Sequence, residues 1–150
     1  MKRYILYIVV LLAMLAVPAQ RNDVGRLLPV EVIAVYQDVG GVRIETDTGN
    51  VGTGRDLESA YRNLKGTAAG EIFLDTADYL ILYGEAKQLS EKLREYLKPG
   101  IRVCAGEGEI DLVEASEYLS VHIPNMRLKD ENIASRLAVL TRKETGYCLS

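Results

Sequence analysis

Four short runs rich in apolar and β-branched residues punctuate the chain: LLPVEVIAVYQ (27–37), VRIETDT (42–48), YLILY (79–83) and IRVCA (101–105). Between the later runs the apolar residues fall at helical spacing instead. This alternation constrains the fold more than any other feature. Asp38-Val39-Gly40-Gly41 joins the first two runs, so they read as a hairpin. Asp56 to Lys65 then places Leu57, Ala60, Tyr61 and Leu64 on one helix stripe, with Gly66 as a stop. A second helix is expected from about Glu85, with Ala86, Leu89, Leu93 and Tyr96/Leu97 on one face, closed by Pro99-Gly100. Asp111 to Leu119 forms a third, with Leu112, Ala115 and Leu119 inward, and Pro124 keeps SVHIPNM (120–126) out of it. Asp130 is placed to cap a last helix carrying Ile133, Leu137 and Leu140. The expected order is β-β-α-β-α-β-α-α. That is an α/β fold with an α+β tendency: a single mixed sheet with an N-terminal hairpin, packed by three to four helices, over residues 28–150.

The first 27 residues follow different rules. Met1-Lys2-Arg3 is a short basic region, and Tyr4 to Val17 is an unbroken apolar run. Val17-Pro18-Ala19 supplies the modest side chains that a signal peptidase reads before Gln20. A membrane-spanning helix needs ~20 apolar residues, so residues 1–19 read as a signal peptide or an N-terminal membrane anchor. Residues 20–27 (QRNDVGRL) read as a linker. Either way the rest of the chain is expected to be extracytoplasmic, secreted or anchored to the cytoplasmic membrane by residues 4–17. Export permits a disulfide between Cys104 and Cys148; two separate thiols are the alternative.

The residues that carry chemistry are sparse. GNVGTGRDLESA (49–60) sets three glycines before a helix, the layout of a phosphate cradle. Its context argues otherwise, because the polar end of a hairpin precedes it and Arg55-Asp56 stands where a phosphate loop needs Lys-Ser/Thr. Thr53 and Asp56 are spaced as a capping box, so the stretch reads as a structural turn. Acidic residues gather at Asp75, Asp78 and Glu85 and again at Glu107, Glu109 and Asp111, without the D-x-D-x-D-G order of a calcium loop. His122 is the only histidine; Ser116 and Ser120 lie nearby, but no G-x-S-x-G elbow is present. There is no C-x-x-C spacing for a metal, and with a net charge of −3 no Lys/Arg cluster interleaved with aromatics for nucleic acid. No catalytic, cofactor-binding or metal-binding residue is assigned, and no cofactor is expected. The expectation is a non-enzymatic domain. The alternative is an exported small-ligand binder or hydrolase using the acids around Asp75–Asp78 and Glu107–Asp111.

One resemblance adds to this reading. Gly52-Thr53-Gly54 with Leu57 and Ala60, then YLILYGE (79–85), VCAGEG (103–108) and the terminal ENIASRLAVLTRKETGY occur in an order similar to the first domain of the Ger(x)C family. These are the extracytoplasmic lipoprotein C subunits of spore germinant receptors. The chain departs from that family in three places: no cysteine follows the apolar run, a single domain is expected where the family has a second and third, and Asp75-Thr76 stands where the family carries Gly-His. The resemblance implies a domain that works by protein–protein contact at the outer face of the cytoplasmic membrane. Its implied partners are other envelope proteins, among them germinant-receptor subunits, and its implied role is in germination.

Overall fold

The computed structural model describes residues 27–144 and 146–150. The signal or anchor segment 1–19 and most of the linker lie outside the described residues. Among those described, no helix is long and apolar enough to cross a membrane.

The run 27–37 is broken in two. β1 (Leu27–Pro29) pairs in parallel with β5 (Glu71–Phe73). After Val30-Glu31 the chain enters β2 (Val32–Asp38) and turns through Val39-Gly40 into β3 (Gly41–Thr46), the expected hairpin. β3 turns again into β4 (Val51–Gly54), a strand where the sequence reads as a glycine turn. α1 (Leu57–Thr67) follows, with Leu57, Ala60 and Leu64 buried as the stripe requires. Its cap lies three residues later than the sequence reading put it. Asp56 is the N-cap, accepting from Ser59 N at 2.8 Å, and Ser59 Oγ answers the Asp56 N–H at 3.2 Å.

β6 (Tyr79–Gly84) and β7 (Arg102–Glu107) extend the sheet in parallel from β2. Between them the expected second helix is fragmented. A 3-10 stretch (Glu85–Leu89) leads into one α turn, α2 (Ser90–Leu93), although Ala86, Leu89, Leu93 and Leu97 are buried as foreseen. α3 (Leu112–Val121) is capped by Asp111, which accepts from Val113 N and Glu114 N.

The largest departure is at the C-terminus. In place of a helix there is one 3-10 turn (Ile133–Ser135), then a hairpin of β8 (Val139–Lys143) and β9 (Gly146–Leu149). Two local facts explain it. Asp130 accepts from Arg127 N at 2.8 Å and closes a turn rather than capping a helix, and Asn132 takes a left-handed φ of 55°. The open edge of β7 then recruits Val139–Thr141 as a parallel partner, a tertiary demand that outweighs helical spacing.

The result is an α/β fold on one mixed seven-stranded sheet, ordered β4-β3-β2-β6-β7-β8-β9, beside the small β1–β5 pair. Side chains alternate between its faces. The first face takes Ile33, Val35, Val42, Ile44, Leu80, Leu82 and Val103 and is packed by α1 and the 85–97 segment. The second takes Val32, Ala34, Ile81 and Cys104, covered by Leu112, Ala115 and Leu119 of α3. The glycines of the 49–60 stretch serve this packing. A Cβ on Gly52 would collide with Ala60 O and with Leu64, and one on Gly54 with Ala60 N and Ser59 Oγ. They let α1 lie on the backbone of β4. α1 also closes the outer edge of that strand: Asn63 Oδ1 accepts from Thr53 N at 3.1 Å, and Thr67 Oγ1 donates to Val51 O at 3.2 Å.

Candidate functional site

Beside the part that α3 covers, the second face runs on to the carboxyl ends of β2 and β6. There one cross-strand row runs through register partners Thr53, Arg43, Tyr36, Tyr83 and Gly106, on β4, β3, β2, β6 and β7 in turn. The Tyr36 and Tyr83 rings stack 4.2 Å apart at 15°. The Arg43 guanidinium carbon lies 4.3 Å from the centre of the Tyr36 ring, and Glu45 holds Arg43 Nε at 3.3 Å. Tyr83 leans over Gly106, where a Cβ would collide with its ring. Cross-strand pairs of this kind fix one another's rotamers. The row is a rigid edge of stacked groups.

The row forms one wall of an open groove of about 840 Å³. Its other walls are the β2–β3 turn (Asp38, Gly40, Gly41), the end of β4 (Gly54, Arg55), and Gln37 and Val42 on the first-face side. The groove therefore wraps the carboxyl rim of the sheet, the edge at which open α/β sheets present ligand sites. Two atoms mark it further. Tyr83 Oη and Gln37 Oε1 are buried with no hydrogen-bond partner among the described residues, and both residues line the groove. Tyr83 is 9% exposed. Burial raises its pKa far above the ordinary phenol value, and the neighbouring Tyr36 adds to the effect, so the hydroxyl keeps its proton. Tyr36 is raised as well, by burial first and then by the Glu45 carboxylate.

The sequence candidates do not converge here. Asp75 is exposed in a 3-10 turn, and Asp78 pairs with Lys98 Nζ at 2.7 Å. Both precede β6, whereas Glu85 follows it, Glu107 ends β7, and Glu109 and Asp111 lie beyond. β6 and β7 run parallel, so Asp75 and Asp78 sit at the opposite end of the sheet from Glu85 and Glu107–Asp111, roughly 15–20 Å away by strand rise. Asp111 is occupied as the α3 cap. Ser116 Oγ donates to Glu31 Oε2 at 2.6 Å, while His122 stacks on Tyr118 at 4.2 Å, beyond the other end of the helix from the groove. Among the described residues no set of three His, Cys, Asp or Glu is arranged to hold a metal. Cys104 is a buried free thiol whose pKa burial pushes up to about 12, and Cys148 is free on β9, separated from it by β8.

The sequence reading missed Tyr36, Arg43 and Tyr83. Their only local signal is a tyrosine closing an apolar run just before a polar residue or glycine, in AVYQ and in LILYG. No family model, curated protein or solved structure matches the chain.

Proposed function

We propose that this chain is an exported, non-enzymatic contact domain that binds another envelope protein through the groove at the carboxyl rim of the sheet. The observation that carries this reading is the Arg43–Tyr36–Tyr83 row. Tyrosine and arginine dominate the energetics of protein contacts. Stacking has already fixed these side chains, so a partner loses little entropy in ordering them. The resemblance to the Ger(x)C family supplies the biological setting: contact with germinant-receptor subunits during germination. A hydrolytic or ligand-binding role for Asp75–Asp78 and Glu107–Asp111 has no convergent geometry behind it.

The test is site-specific photocrosslinking in the producing cell, with the crosslinker at Thr53 in the groove and, as a control, at the exposed Glu131. The expected result is an adduct from position 53 alone, containing a multi-spanning membrane protein encoded beside this one. No adduct at 53, or equal adducts at both positions, overturns the reading.

A further inference from the structure

The contact reading leaves the partner's chemistry open, and the groove specifies more. Its lining carries two arginines against one carboxylate. Arg43 is ion-paired only through Nε, and its remaining guanidinium nitrogens make no hydrogen bond among the described residues. Arg55 has no ion-pair or hydrogen-bond partner among the described residues, and its backbone is packed beside Gly41 at the hairpin base. Asp38 is committed to the turn, where its Oδ1 accepts from Val39 N at 2.7 Å. Tyr83, which lines the same groove, holds a buried hydroxyl with no hydrogen-bond partner among the described residues.

We propose that the groove seats a carboxylate, the acidic side chain of a segment of the partner protein, held by Arg43 and Arg55 and hydrogen-bonded by Tyr83 Oη. The proposal rests on the contact reading. A carboxylate offers acceptors only, on two oxygens, and the groove offers spare donors. A buried phenol that keeps its proton donates to such an oxygen and removes the cost of its own unmade hydrogen bond. An ammonium would instead meet two guanidiniums and an aligned donor. Val39 favours a peptide source over a free acid. It is 104% exposed at the tip of the turn between the lining residues Asp38 and Gly40, outside the groove itself, where only a segment longer than the acid would reach its apolar surface.

The test uses the full chain in detergent micelles with acetyl-Ala-Val-Glu-Val-Ala-amide, its Gln analogue and free propionate, followed by NMR titration. The Glu peptide is expected to bind about tenfold more tightly than the Gln peptide. Arg43→Gln and Arg55→Gln should each weaken it about tenfold, and Tyr83→Phe by several-fold, with unchanged circular dichroism. Equal binding of the Glu and Gln peptides, or indifference to both arginine variants, overturns the proposal. Propionate binding as tightly as the Glu peptide overturns the peptide source. The two readings fail separately: a Thr53 adduct whose yield is unchanged when Arg43→Gln and Arg55→Gln are combined sinks the carboxylate and leaves the contact standing.

Discussion

The two faces of the sheet are built by opposite rules. On the first, packing is continuous, from Val42 and Ile44 through Leu80 and Leu82 to Val103, and the glycines of β4 let α1 rest on backbone. Thr76 Oγ1 beside it accepts from Val30 N at 3.0 Å, and its one unmatched polar atom in the groove, Gln37 Oε1, sits at the rim rather than within the packing. On the second face α3 covers one part, and beside it stands a row of stacked tyrosines under an arginine, with a buried hydroxyl that no described residue satisfies. Stability is concentrated in the first arrangement. The second tolerates an unmet polar group, a feature that marks sites shaped for something other than stability.

Substitutions can break that contrast. Leu80→Ala removes a fully buried side chain from the first face and should lower unfolding free energy by about 2–5 kcal/mol in urea titration. Gly52→Ala fills no cavity; it pushes α1 off β4, and should cost about 1–3 kcal/mol in the same assay. Tyr83→Phe deletes a hydroxyl that has no partner among the described residues and should change stability by less than about 1 kcal/mol, in the stabilising direction, while binding at the groove falls. A large loss from Tyr83→Phe would mean that the hydroxyl is structural and that the two faces follow one rule after all.

Much of the scaffold was legible because local pattern and tertiary use agree. The hairpin turn at Val39-Gly40, the Leu57-Ala60-Leu64 stripe and the apolar runs of β6 and β7 each fold as their spacing demands. Legibility failed where a distant element decides. Gly52 and Gly54 look like a turn until α1 is laid against them. Ile133, Leu137 and Leu140 are spaced for a helix, but β7 lacks a neighbour and takes Val139–Thr141. The groove was hidden for the same reason. Tyr36 and Tyr83 become neighbours only through the parallel register of β2 and β6, and no local motif encodes that pairing. Of the sequence candidates, Asp56 and Asp111 proved to be helix caps, which is where short acidic side chains at a helix start are expected.

The closed edge of β4 has a consequence for life in company. An exposed strand edge invites strands from other molecules, and the hazard grows wherever copies of a protein are held close together. Here Asn63 and Thr67 occupy the backbone groups that an incoming strand would need on one side of the sheet. On the other side the Tyr118 hydroxyl occupies Leu149 N, at 3.2 Å. With both flanks interrupted, crowded copies of the chain are kept from zipping into a continuous ribbon, and the carboxyl rim is left as the place where encounters count.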